Sequence, residues 1–158
     1  MKILVDTRQK KDKHDNVDNY FKNNDIEIIS KTLKVGDYML SENAKISVDS
    51  KQNIYEIVSD LFGKYDKCRF QKECLKAKNL GIKLYILIEQ KINKKKLLNW
   101  KSKRKSDGKL ITKVNGQLIY ERMKLYSYLF SVKWRFCNKK DTGETILKLL
   151  GVEDGLFW

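Results

Sequence analysis

Proline is absent from all 158 residues, histidine occurs once, and acidic residues are scarce beside basic ones. The missing proline, together with abundant Lys, Asn and Ile, marks a composition drawn toward AT-rich codons. The lone histidine, His14, lies in a polar loop, which disfavours chemistry built on several histidines, as in HNH-type nucleases. The three cysteines, Cys68, Cys74 and Cys137, are scattered and odd in number, with no CxxC pair. Neither a zinc site nor a disulfide framework is supported, and free thiols in a reducing compartment are expected. No glycine-rich phosphate loop appears, which disfavours a nucleotide-binding ATPase. No apolar run reaches membrane-spanning length, and "MKILVDTR" lacks a signal-peptide pattern. The default expectation is therefore a soluble cytoplasmic protein with no membrane partner.

What is present is positive charge: 34 Lys and Arg against 20 Asp and Glu, for a net charge of +14. AT-rich codons favour lysine, but that bias alone would not hold the acidic count so low. A polyanionic partner, nucleic acid first, is the reading that accounts for both. The charge is concentrated. Residues 91–113, "KINKKKLLNWKSKRKSDGKLITK", hold ten Lys or Arg and one acid, Asp107. Such a run is either a solvated loop or a clamp for a phosphate backbone. Lys94, Lys95, Lys96, Lys103, Arg104 and Lys105 are its candidate DNA contacts. Trp100, amid these cations, would stack on a base or anchor the segment to the core, and the second role is favoured.

The pattern along the chain alternates strand and helix, which predicts one α/β domain over 1–158 with no repeats and no linker. "KILVD" (2–6) reads as a buried strand, residues 7–15 as a polar loop and "NVDNYFKNN" as a short helix. "IEIISKTL" is a second strand. "GDYML" and "KISVDSK" flank "SENA" as a hairpin. "NIYEIVSDLF" and "RFQKECLKAKNL" have helical spacing, with Gly81 as a C-cap. "KLYILIE" (83–89) is too uniformly apolar for a surface strand. "QLIYERMKLYSYLFS" reads as an amphipathic helix, "KWRFC" as a strand, and "DTGETILKLLG" as a helix opened by a capping box of Asp141 and Glu144.

The hairpin collects charge. If its turn centres on Asn43, Asp37 falls opposite Asp49, with β-carbons about 5 Å apart, where like charges repel. Lys51, two residues beyond Asp49, shares that face. Two opposed carboxylates ask for a cation, and a hard divalent ion such as Mg²⁺ suits them. An adjacent ammonium would then orient or deprotonate the attacking water and offset charge on a phosphate. The same three residues also fit an exposed hairpin face on which Lys51 merely pairs with Asp49. Spacing alone leaves both open.

In order, "ILVDTR", "LKVGDY", "VDSK", "RFQKE" and "LYILIE" resemble the nuclease domain of the XPF flap-endonuclease family. That family is a branch of the restriction-endonuclease-like PD-(D/E)XK superfamily. The resemblance continues into "RFCNKKDTGETILKLLG" and looks most like short, stand-alone versions from low-GC bacteria and their phages. It implies a restriction-endonuclease-like mixed central sheet flanked by helices, and a Mg²⁺- or Mn²⁺-dependent DNA endonuclease. Asp37 and Asp49 would be metal ligands with the Ser50 carbonyl, and Lys51 the catalytic lysine. Asp6 would be an auxiliary carboxylate, and Arg8 would contact phosphate or brace the acids. Arg69 would face the site or the DNA and Glu73 would serve as an auxiliary acid, although the two also have i,i+4 ion-pair spacing. Glu89 is expected to be structural.

Two departures stand out. The family's Glu-Arg-Lys is Asp49-Ser50-Lys51 here, with Lys64, Lys67 or the basic segment as candidate compensation, and its frequent Asp four residues after the Lys is Tyr55. The paired helix-hairpin-helix module of many members is absent, and a homodimer stays open beside a monomer. The competing readings are a lapsed nuclease fold acting as a DNA-binding module and, more weakly, an RNA-directed nuclease.

Overall fold

Strand signals and helix signals resolve into a six-stranded sheet wrapped by helices on both faces. The computed structural model describes residues 1–9 and 14–151. Residues 10–13 of the predicted polar loop and residues 152–158 of the predicted domain lie outside the described residues. The elements in chain order are β1 (Lys2–Asp6), α1 (Asp15–Asn23), β2 (Glu27–Lys31), β3 (Tyr38–Leu40) and β4 (Ile46–Lys51). They continue with α2 (Ile54–Phe62), α3 (Asp66–Asn79), β5 (Lys83–Ile88), α4 (Lys94–Leu98), α5 (Gly116–Phe130), β6 (Lys133–Phe136) and α6 (Thr142–Gly151). The sheet order is β2-β1-β3-β4-β5-β6. β1 and β2 pair in parallel, β3 is antiparallel to both β1 and β4, and β4, β5 and β6 run parallel. This is the expected mixed sheet.

Both faces of the sheet are covered, which explains the unbroken apolar run in β5. Leu84, Ile86 and Ile88 enter the core shared with α2, α3, α4 and α5, whereas Tyr85 and Leu87 enter the core shared with α1 and α6. The alternation is the strand's period of two. In the first core the Phe70 ring stacks on Tyr126 at 5.5 Å and lies 6.2 Å from Trp134. Such ring pairs contribute about 0.5–1.5 kcal/mol each beyond the area they bury. Trp134 satisfies its indole N–H on the Met123 carbonyl and the Ser127 hydroxyl, both at 3.1 Å. The cluster fixes α3 against the sheet, and α3 carries one wall of the site.

Local signals set the ends of the elements. Asn53 caps α2 by accepting from the N–H groups of Tyr55 and Glu56. α3 ends before Gly81, whose φ of +66° is the left-handed cap expected there. The capping box expected at the start of α6 does not form. The Asp141 carboxylate instead accepts from the Asn138 amide at 2.8 Å, and Glu144 pairs with Lys148 one turn on.

Candidate active site

Register brings the acids of three strands into line. Val5 pairs with Tyr38 and Tyr38 with Val48, so Asp6, Asp37 and Asp49 follow as the next row across β1, β3 and β4. The hairpin therefore has the register of a turn centred on Asn43. The Asp6 N–H donates to the Asp37 carbonyl at 2.9 Å, and the Asp37 N–H to the Val48 carbonyl at 2.8 Å. Gly36 makes this approach feasible. Its φ is +68°, and a β-carbon there would lie 2.2 Å from the Ser47 hydroxyl oxygen.

Asp37, Asp49 and Lys51 all line one open cavity of about 400 Å³, together with Asp6, Arg8, Asp60, Arg69 and Glu73. The Lys51 ammonium is 2.9 Å from Asp49 Oδ2 and 3.1 Å from Asp60 Oδ2, and its side chain is only 15% exposed. It also lies 5.5 Å from the centre of the Phe70 ring. Burial alone would lower the Lys51 pKa, but the charges of Asp49 and Asp60 outweigh it and raise it above its ordinary value. Lys51 is therefore a cation at neutral pH. Burial pushes the Asp49 carboxyl up to about 7, with Lys51 opposing the rise and Asp37 adding to it. Asp60 is raised too, chiefly by burial.

The remaining acids are held by their surroundings. Asp37 Oδ2 accepts from the Ser50 N–H at 2.9 Å and from the Ser50 hydroxyl at 3.1 Å. Asp6 takes a two-pronged grip from Arg8, Nε to Oδ1 at 2.8 Å and Nη2 to Oδ2 at 2.6 Å. The N–H groups of Arg8 and Leu33 add to it. Burial would raise Asp6, yet these bonds prevail and hold its carboxyl below the ordinary range. Arg8 thus grips the Asp6 carboxylate through both of its oxygens. Glu73 Oε1 accepts from the Gly36 N–H at 2.9 Å. Burial raises its pKa, helped by the charge of Asp49. The i,i+4 pairing of Arg69 with Glu73 is not formed: Arg69 reaches back to Asp66 at 3.5 Å.

A family model describing the ERCC4 domain matches residues 5–149. The chain belongs to the ERCC4 domain family. Two solved structures of XPF from Aeropyrum pernix, one of them in complex with DNA, superpose on this ERCC4 domain with a TM-score of 0.65 at 15% identity. They cover 94% of this chain, which in turn spans 64% and 62% of theirs, less than two thirds of their length. The fold is the one seen in those XPF structures, as the resemblance implied. No curated protein matches the sequence.

Within the ERCC4 domain the basic segment lies elsewhere than the cavity: none of residues 91–113 lines it. Nor is the segment simply a loop. Lys94–Leu98 form α4, capped by Asn93 on the Lys96 N–H at 2.9 Å. Leu97 is fully buried, and α4 presses so closely on α5 that a β-carbon on Gly116 would collide with the Leu97 carbonyl. Trp100 packs on the core, as favoured, with its ring 5.2 Å from that of Tyr55 in an edge-on contact. The Tyr55 hydroxyl accepts from the Lys103 N–H at 2.9 Å. The residue that departs from the family's Asp thus ties the basic segment to α2. Lys94, Lys95, Lys96, Arg104 and Lys105 stand exposed along it.

Four charged cavity residues carry no assignment from the sequence: Asp60, Lys34, Lys72 and Lys76. Asp60 left a signal, since it is a buried acid among Ile54, Ile57, Val58 and Leu61 on the inward stripe of α2. Lys72 and Lys76 share the helical face of Arg69 and Glu73 by their spacing of three and four. Lys64 and Lys67, considered as compensation for the missing arginine at position 50, do not line the cavity. Glu89 is buried after β5, 3.9 Å from His14 Nδ1, and is absent from the cavity wall, in keeping with a structural role.

Proposed function

We propose that this ERCC4 domain is a divalent-metal-dependent endonuclease that hydrolyses phosphodiester bonds of DNA. The observation that carries this reading is the meeting of Asp37, Asp49 and a protonated Lys51 in one solvent-open cavity. Among the described residues, no three His, Cys, Asp or Glu side chains are gathered as a metal centre. The donors at hand are nonetheless of the fitting kind. The carboxylates of Asp37 and Asp49 and the carbonyl of Ser50 are hard oxygens that suit Mg²⁺ or Mn²⁺. Burial of Asp49 also favours a further positive charge beside it. Bound there, the ion would polarise a phosphoryl oxygen and activate water.

The chain's own residues would do the rest. Ser50 fixes the Asp37 carboxylate through its N–H and hydroxyl. Arg8 keeps Asp6 ionised beside the site. Lys51 is lodged between Asp49 and Asp60, 2.9 and 3.1 Å away. It would offset the charge that gathers on the phosphoryl oxygens as the water attacks. Arg69 at the mouth and the cations of residues 91–113 would hold the DNA backbone.

Two features favour a second reading, a lapsed nuclease that binds DNA without cutting it: Lys51 pairs with Asp49, and Ser50 stands where the family pattern has arginine. The two readings part on labelled linear, flapped, forked and four-way DNA incubated with Mg²⁺, Mn²⁺ or EDTA. Metal-dependent cleavage that Asp37→Ala, Asp49→Ala or Lys51→Ala abolishes, with binding retained, is the expected outcome. Cleavage undiminished in all three variants would sink the assignment of the site, and binding without cleavage under either metal would establish the second reading.

A further inference from the structure

The cavity wall contains more positive charge than its acids use. Of the six cations lining it, Arg8 is committed to Asp6, Lys51 to Asp49 and Asp60, and Arg69 reaches Asp66. Lys34, Lys72 and Lys76 are exposed, and among the described residues none of them forms an ion pair. They approach from two directions. Lys34 comes from the loop between β2 and β3, two residues before Gly36, whereas Lys72 and Lys76 come from α3.

Their placement on α3 is not what helix stability would choose. Lys72 and Lys76 are four residues apart, a like-charge pair that costs a helix about 0.2–0.5 kcal/mol. Glu73, the acid on the same face, turns to the Gly36 N–H instead of relieving them. A position in the last turn accounts for Lys76, since cations complement the helix dipole there. It accounts for neither Lys72 nor Lys34. Meanwhile β4 offers the cavity no cation at position 50, where the serine is occupied with Asp37.

We propose that Lys34, Lys72 and Lys76 form a phosphate rail that holds the nucleic-acid backbone beside the scissile bond, supplying from α3 and the β2–β3 loop the cations that position 50 does not. This rests on the nuclease reading and adds where the strand runs. From Arg69 to Lys76 the helix rises roughly 10 Å at 1.5 Å per residue. Along a duplex axis that spans about three steps of 3.4 Å per strand. The rail recognises the phosphodiester backbone, so DNA and RNA strands both suit it. It is separate from residues 91–113, which line no part of the cavity.

The test is anisotropy of labelled duplex DNA, single-stranded DNA and single-stranded RNA in EDTA, over about 50–200 mM salt. It compares the full chain with Lys34→Gln/Lys72→Gln/Lys76→Gln. A control of equal charge loss, Lys133→Gln/Lys139→Gln/Lys140→Gln, alters exposed lysines away from the cavity. Each lost contact should reduce the slope of log affinity against log salt by about 0.9 on duplex and about 0.7 on single strands. The rail variant should therefore lose about two to three units of slope on duplex, and roughly 100-fold in affinity near 0.15 M salt, while the control changes little. The same relative loss on RNA fits a backbone site, and a loss confined to DNA would overturn it. Equal losses in rail and control variants would overturn the rail and leave the nuclease reading standing. No binding by the unaltered chain to any of the three would overturn both.

Discussion

Replacing Lys51 with Met keeps most of the side-chain volume and removes the charge that two buried carboxylates share. In the native arrangement one ammonium lies 2.9 Å from Asp49 and 3.1 Å from Asp60. Without it both acids remain buried and face each other's charge. Removing one partner of a buried ion pair costs about 3–5 kcal/mol, a large part of the about 5–15 kcal/mol that holds a typical domain together. The loss should depend on pH with a definite sign. Asp49 is raised from 3.8 to about 7 and Asp60 is raised as well. The folded chain therefore keeps protons that the unfolded chain has released, and stability falls as pH climbs through that window. In Lys51→Met both acids rise further, so the gap to the native chain widens with pH, by at most about 1.4 kcal/mol per pH unit for each extra proton held. Urea unfolding at pH 5, 6, 7 and 8 without divalent ions, followed by tryptophan fluorescence, measures it. The deficit should be greatest at pH 7–8 and smaller by up to about 3 kcal/mol at pH 5. A deficit below about 1 kcal/mol, the scale of an exposed ion pair, or one that is flat across pH, would refute the coupling described for this triad.

Gly36→Ala should destabilise the fold by about 2–5 kcal/mol, combining left-handed backbone strain with overpacking. Its β-carbon would meet the Ser47 hydroxyl at 2.2 Å, and the loss is read from the denaturation midpoint. Tyr55→Phe removes only the hydroxyl that accepts from Lys103, so stability should drop by about 0.5–1.5 kcal/mol. Trypsin should then cut faster between residues 101 and 105, and unchanged cutting would mean that the bond does not restrain the segment.

Much of the fold was legible because its signals are local. Apolar runs of three and five residues marked β1 and β5, and apolar spacing marked α2 and α5. Counting back from the "SENA" turn set Asp37 level with Asp49, because hairpin register follows from loop length. It also placed Lys51 beside Asp49, since side chains two apart share a face of a strand. α4 was hidden under the charge of "KKKLL", where burial of Leu97 against α5 matters more than composition. Glu73 hid its partner for a similar reason. Its helical neighbour Arg69 was visible in the sequence, but its partner, the Gly36 N–H, lies 37 residues away and meets it only once α3 packs across the β2–β3 loop.

By itself the sequence determined the alternation of strands and helices, the excess of positive charge, and the ordered motifs by which the ERCC4 family is recognised. These depend on neighbours within a few positions, where backbone geometry decides which side chains share a face. Only the tertiary structure decided that Asp60 joins Asp49 on Lys51, that Tyr55 anchors the basic segment, and that Lys34, Lys72 and Lys76 look into the cavity while residues 91–113 do not. Each of those relations joins elements far apart in the chain. Their distances are set by how α2 and α3 pack on the sheet, through buried surfaces such as the Phe70–Tyr126–Trp134 cluster, and no local spacing encodes that packing.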